Sequence, residues 1–321
     1  MRPATTEPAT AAVAGSPEQL LQRLEWTVLR RLDGLLQGDH RTLWRGAGLD
    51  LADLREYQPG DDVRHIDWNV TARLQQVHVR QYTEDRDLTA WFLLDLSGSV
   101  DFGSGERTKL GVSEGFVATL ARLLTRYGNR VGALLYGHEV HGVLPPGSGR
   151  TQVLQLLRRM REQPPASGRP TTGQGTDLAL LLGRAEALIK RRSLVFVVSD
   201  FISAPGWSAA LGRLARRHEV LAVRLYDPLE LALPDLGLVT LQDAETGEQL
   251  LVDTQDPAFQ QRFVALASAQ ESALRQDLAS AGVDTLELAT DDDLLAALLR
   301  WVGLRRQRLR LGPGARLPAT A

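Results

Sequence analysis

Asp95, Ser97 and Ser99 stand at alternate positions where a long apolar run, Leu88 to Leu94, gives way to polar residues. An apolar run of this length, interrupted only by Thr89, has the pattern of a strand buried on both faces of a sheet. A parallel strand of that kind delivers the residues after it to the carboxyl edge of the sheet, where open α/β folds bind ligands. One carboxylate and two hydroxyls presented together suit a hard cation such as Mg²⁺, which takes oxygen donors and keeps part of its water.

Two further features point at the same chemistry. Ser193 to Ser199, SLVFVVS, is a second buried-strand pattern, and it also ends in an acid, Asp200. Between the two runs, Gly173-Gln174-Gly175-Thr176-Asp177 places a threonine hydroxyl at a glycine-rich helix start. The plainer reading makes Asp95 and Asp200 caps or turn residues and the serines local hydrogen-bonders. As a set on three loops of one sheet edge, Asp95, Ser97, Ser99, Thr176 and Asp200 are read as an ion site.

A second dense stretch is YQPGDDVRHIDWNVTAR, residues 57 to 73. It sets Asp61, Asp62 and Asp67 against Arg64 and Arg73, with Trp68 alongside. The reading preferred here is a structural clasp of paired charges around a buried indole. The alternative is a surface for a partner, or an acid that visits the ion site.

The elements that must position these residues emerge from patterning. With 321 residues, 43% of them hydrophobic, the chain can bury a full core and add a smaller unit. Its formal charge of -2 makes no case for nucleic acid or an anionic membrane surface. The absence of cysteine excludes disulfides and thiolate chemistry and fits a reducing compartment. No apolar run approaches the roughly 18 residues of a membrane span, so a soluble, cytoplasmic chain is expected. Residues 1–17 read as a disordered lead-in. Ser16-Pro17-Glu18-Gln19 forms a capping box, after which Leu21, Leu24, Val28, Leu32 and Leu35 mark a helix face that Gly38 ends. With residues 40 to 87 read as β-rich, the segment 18–87 forms a helix and a small β-rich unit. It includes a turn at Gln58-Pro59-Gly60-Asp61 and a strand over 77–82.

From Leu88 strands and helices alternate, which predicts a doubly wound, mostly parallel α/β sheet over 88–304. Helices are expected at 109–127, 151–162, 177–190, 207–217, 257–281 and 291–304. Strands are expected at 130–136, 139–144, 219–225 and 284–288, with a loop over 164–175. Residues 236–253, turning at Glu245-Thr246-Gly247-Glu248, read as a hairpin insertion. Residues 305–321 read as a basic tail with Arg305, Arg306, Arg308 and Arg310 on a solvated helix end.

Several catalytic readings fail on residue type or spacing. A phosphatase using Asp95 as nucleophile would need a second acid two residues later, where Ser97 stands. Gly98 and Gly103 have the spacing of a phosphate loop, but Ser104 occupies the lysine position and Lys109 comes too late. His138 and His141 do not share a strand face, and no H-E-x-x-H occurs. The serines lack a G-x-S-x-G elbow. A non-enzymatic role is expected, with a Mg²⁺-dependent phosphohydrolase using Asp95 as the alternative.

The ion-site set resembles the metal-ion-dependent adhesion site of von Willebrand factor A domains. In those domains a D-x-S-x-S motif, a threonine and an aspartate hold Mg²⁺ or Mn²⁺, and the last position is left for a partner's carboxylate. The stretch Tyr57-x-Pro59-Gly60-Asp61-Asp62-x-Arg64-x-Ile66-Asp67-Trp68, with Thr71-Ala72-Arg73, is similar to the hallmark of domain-of-unknown-function family fifty-eight. Arg80 to Tyr82, Tyr226-Asp227-Pro228-x-Glu230, Leu233-Pro234-Asp235-x-Gly237 and Asp243-x-Glu245-x-Gly247 extend that likeness. Members of that family carry a von Willebrand A-like domain and are commonly encoded beside MoxR-type AAA+ ATPases. The resemblance implies an adaptor or co-chaperone that binds such an ATPase and a client protein with an exposed acidic residue.

Overall fold

The computed structural model describes residues 16–25, 49–59, 61–84, 88–137, 140–162, 177–242 and 249–311. Among these, the chain begins with α1 (Pro17–Leu24), where Ser16 and Gln19 form the reciprocal capping box and Leu21 and Leu24 are buried. A small unit comes next: β1 (Leu49–Glu56) pairs antiparallel with β2 (His78–Glu84), and α2 (Trp68–Leu74) lies between them in sequence. The sequence pattern makes this unit β-rich and does not reveal α2. Asp67 determines that helix, because its carboxylate accepts the Asn69 and Val70 N–H groups that an uncapped first turn leaves without partners.

The main sheet is built from β3 (Thr89–Asp95), β4 (Arg130–Tyr136), β5 (Val140–Gly147), β6 (Leu194–Ser199), β7 (Glu219–Tyr226) and β10 (Asp284–Ala289). A separate antiparallel pair, β8 (Leu238–Gln242) and β9 (Gln249–Asp253), falls between β7 and β10 in the chain. The helices are α3 (Lys109–Arg126), α4 (Gly149–Arg161), α5 (Leu178–Leu188), α6 (Trp207–Arg217), α7 (Pro257–Ala281) and α8 (Leu294–Leu311). The spatial strand order is β10-β7-β6-β3-β4-β5, parallel throughout except for the β4–β5 edge pair. In order of appearance along the chain this is the doubly wound order read from its far edge, so the winding direction reverses between β3 and β6.

Alternation along the strands divides the core into two layers. Ala90, Phe92 and Leu94 of β3 pack with residues of α1, α3, α4 and α8. Trp91 and Leu93 pack with α5, α6 and the C-terminal end of α7. Phe92 stacks on Phe196 of the adjacent β6 at 4.9 Å between ring centroids, and Phe116 of α3 meets Phe196 edge-on. Both central strands are therefore covered on both faces, which is why they read as unbroken apolar runs. No helix among the described residues is long and apolar enough to cross a membrane.

The last helix departs from the sequence reading at both ends. Asp293 caps it through the N–H groups of Leu295 and Ala296, so it starts three residues later than the acidic run suggests. It then continues through Leu311, so the first basic residues of the tail extend the helix. Several expectations lie outside the described residues: the lead-in up to Gly15, the first helix from Val28 to Gly38, and Gly60 of the turn. The same holds for His138, the 164–175 loop with Thr176, the hairpin turn 245–248, and the tail beyond 311.

Candidate metal centre

β3 and β6 end side by side at the reversal point, and each delivers one acid there, Asp95 and Asp200. Both carboxylates are buried. Asp95 Oδ1 accepts the N–H of Ser97 at 3.0 Å, and its Oδ2 accepts the hydroxyl of Ser199 at 2.6 Å. After Ser97 the chain turns into a 3-10 helix, Gly98–Asp101, which brings the Ser97 and Ser99 hydroxyls to 3.1 Å from each other. Burial pushes the Asp95 carboxyl up to about 6, and the charge of Asp200 adds to the effect. The hydrogen bonds from Ser199 and Ser97 oppose it. Desolvation and a neighbouring carboxylate both disfavour the charged form of such an acid.

The turn after β6 is held as tightly. Ser199 Oγ accepts the N–H of Phe201, and Asp200 Oδ1 accepts that of Ile202. Phe201 takes a left-handed conformation, φ 60°, at a cost of roughly 1–2 kcal/mol for a residue with a side chain. Its ring is anchored against Trp207 at 5.1 Å. This backbone orients Asp200 toward the α3 side, where Oδ2 receives the Lys109 ammonium at 2.9 Å.

Lys109 is the residue that sequence reasoning missed. It opens α3, is buried to 1% exposure, and bridges Asp200 to Glu230, whose Oε1 lies 2.7 Å from Nζ. Burial alone would lower its pKa, but Asp200 and Glu230 outweigh that and raise it, so the ammonium stays charged. Glu230 ends the short 3-10 helix Pro228–Glu230 after β7. That turn is pinned by buried Asp227, which accepts the Ser104 hydroxyl at 2.6 Å, the Ser104 N–H at 2.9 Å and the Thr290 hydroxyl at 2.7 Å. Gly103, just before Ser104, has no room for a side chain, since a Cβ there would lie 2.5 Å from the Arg107 carbonyl oxygen. The β3–α3 loop thus folds on itself to present both Ser104 and Lys109. A sequence signal for Lys109 existed: a lysine in the first turn opposes the positive end of the helix dipole, so it needs a local reason.

Of the five residues read as the ion site, the structure brings Asp95, Ser97, Ser99 and Asp200 to one edge, and Thr176 lies outside the described residues. Asp177, next in the chain, caps α5 through the Ala179 N–H and donates its own N–H to Tyr136 Oη at 3.3 Å. Tyr136 is the ladder partner of Asp95. The residues read as ligands offer carboxylate and hydroxyl oxygens, with no histidine or cysteine among them, which fits a hard divalent ion. Three carboxylates, Asp95, Asp200 and Glu230, stand against one ammonium, which leaves two negative charges in excess when all three are ionised.

The 57–73 stretch is arranged differently from the expected clasp. Asp61 forms a two-pronged pair with Arg55, at 2.8 and 2.6 Å, and accepts the Gln58 N–H. Its cation is thus Arg55, outside the stretch, in place of Arg64 or Arg73. Asp62 caps the turn that starts at Val63, with Arg64 Nε at 3.7 Å on the surface. Arg73 is exposed, and the indole expected inside is outside: Trp68 is 69% exposed. Asp67 is buried as a helix cap, and Trp68 directly after it occupies an outward-facing first turn.

Comparison with known proteins agrees with the motif. Residues 53–273 match the family model described as protein of unknown function DUF58. Uncharacterized proteins of Mycobacterium tuberculosis and Mycobacterium bovis are 38% identical to the chain over 287 residues, 89% of each sequence. A Paracoccus denitrificans protein described as lying in the moxR 3' region is 37% identical over 105 residues, 32% of this chain and 99% of its own. Among solved structures, an aerotolerance-related membrane protein of Bacteroides fragilis aligns with a TM-score of 0.46 at 13% identity, over 69% of this chain and all of that one. With the family model spanning more than two-thirds of its residues, and relatives alike along nearly their whole length, the chain belongs to the DUF58 family.

Proposed function

We propose that this chain is a metal-dependent protein-interaction module, working in the cytoplasm as an adaptor or co-chaperone of a MoxR-type AAA+ ATPase. Asp95, Ser97, Ser99, Thr176 and Asp200 would hold Mg²⁺ or Mn²⁺, and an acidic side chain of a client would complete the coordination. The observation that carries this reading is the buried pair Asp95 and Asp200 at the reversal point of the sheet. They lie near two hydroxyls in a buried cluster with more carboxylates than cations. The bound ion would offset the excess negative charge of this cluster. The chain's own contribution is to orient Asp95 through Ser97 and Ser199 and to hold the β6 turn rigid. The ATPase partnership is supported by the family motif and by the Paracoccus relative in the moxR 3' region.

Calorimetric titration of Mg²⁺ and Mn²⁺ into the full chain tests the site. The expected result is binding by the wild type that both Asp95→Ala and Asp200→Ala abolish while remaining folded. Metal-dependent capture of a purified MoxR-type ATPase, without hydrolysis of a generic phosphate ester, would support the module. Phosphate-ester turnover lost in Asp95→Asn would replace it with the phosphohydrolase.

A further inference from the structure

Lys109 has no place in the oxygen-donor set, yet it is a charged side chain buried among those residues. Its ammonium is buried to 1% and stands at the first position of α3, against the positive end of the helix dipole. It persists because Asp200 and Glu230 grip it from two different loops, at 2.9 and 2.7 Å. Asp200 consequently has no idle oxygen: Oδ1 serves the Ile202 N–H and Oδ2 serves the ammonium. A divalent cation that uses Asp200 must therefore share that carboxylate with Lys109 or displace it.

We infer that Lys109 is a built-in competitor for the metal at Asp200, with Glu230 as the alternative partner that draws it away. This rests on the ion-site reading proposed above and adds its regulation. While Lys109 neutralises Asp200, the ion meets one uncompensated carboxylate within its own ligand set, Asp95, and keeps net positive charge there. It then binds weakly by itself and strongly favours an outside carboxylate, which makes metal and acidic partner depend on each other. When Lys109 leans on Glu230, Asp200 is released to the metal. Glu230 is placed for this role: its side chain is 27% exposed where that of Lys109 is 1%, so it lies at the solvent side of the cluster. Ser104, on the loop that leads into Lys109, grips Asp227 and so holds the Glu230 turn in register with the ammonium.

The test is calorimetric titration of MnCl₂ into the full chain in three forms, each checked for cooperative thermal unfolding. Lys109→Met is expected to tighten Mn²⁺ binding roughly tenfold or more, because Asp200 then faces the ion alone. Glu230→Gln is expected to weaken it roughly three- to tenfold, because Lys109 then leans fully on Asp200. Added sodium acetate should tighten Mn²⁺ more in the wild type than in Lys109→Met. The Glu230 variant, at a partly exposed position, keeps the test decisive if Lys109→Met does not fold. Unchanged or weaker Mn²⁺ binding in Lys109→Met, or unchanged binding in Glu230→Gln, overturns the competitor and leaves the ion site standing. No Mn²⁺ binding at millimolar concentration in the wild type or either variant overturns the ion site and the competitor together.

Discussion

The sheet edge at Asp95 and the signature stretch at residues 57 to 73 are both rich in aspartate, but they use it in opposite ways. In the signature stretch every acid has a local structural task. Asp61 closes a turn with Arg55, Asp62 caps a short 3-10 helix, and Asp67 caps α2. Asp61 is held below its ordinary pKa, first by the hydrogen bonds from Arg55 and then by that from the Gln58 N–H. At the sheet edge, burial and a neighbouring acid drive Asp95 the other way. The same side chain lowers the energy of the fold in one place and raises it in the other. An acid paired with a guanidinium at the surface holds its charge, whereas an acid buried beside another acid holds its proton.

The largest effect should separate the two regions outright. Asp200→Ala and Asp95→Asn should remove Mn²⁺ binding, while Asp67→Ala should leave the dissociation constant unchanged, as read by calorimetry.

The next effect inverts the usual cost of mutation. Asp95 keeps its proton up to about pH 6 in the folded state but loses it near 3.8 when unfolded. Below 3.8 both states are protonated and the group is neutral to stability. Between 3.8 and 6 the unfolded state sheds its proton first, so stability falls as pH rises, and above 6 the full penalty remains. Metal-free Asp95→Asn should therefore be more stable than the wild type at pH 7 by about 2–3 kcal/mol, with the gain vanishing near pH 4. Urea unfolding at the two pH values, in the presence of a chelator, measures it. By the same linkage, Mn²⁺ binding to the wild type should weaken steadily below about pH 6, as protons compete for Asp95.

Smaller effects belong to the signature stretch. Asp67→Ala should destabilise by about 1 kcal/mol in urea unfolding through loss of the α2 cap. Trp68→Ala should change stability by less than about 0.5 kcal/mol, since most of the ring is already in solvent. If that variant also loses ATPase capture, the exposed indole belongs to a partner surface, and the two regions are then joint parts of one interaction. A Trp68→Ala protein that unfolds markedly earlier would instead return the indole to a structural role.

Much of the architecture was legible without coordinates because its signals are local. Helices at Trp207 and Pro257 begin at the expected residues, after a glycine and a capping Asp256. The two doubly buried strands carried their own evidence in composition, and the acids at their ends could be placed from chain direction alone. Helix α2 went unseen because its seven residues carry no apolar periodicity, only the cap at Asp67.

Local sequence was enough to say which residues reach the carboxyl edge, since a strand's direction and the residue after its last apolar position require no knowledge of its neighbours. It was also enough to see that the residues proposed as ligands offer only oxygen. Which strands lie adjacent is a matter of tertiary packing. Packing therefore buries Asp95 and Asp200 at adjacent strand ends, although Asp95 and its hydrogen-bond partner Ser199 are 104 positions apart in the chain. The same packing turned Trp68 outward and paired Asp61 with Arg55. Above all it buried Lys109 between Asp200 and Glu230, which lie 91 and 121 residues away. A buried charge is tolerated only where distant chain segments bring compensating charge to it, and no local pattern in a sequence records that encounter.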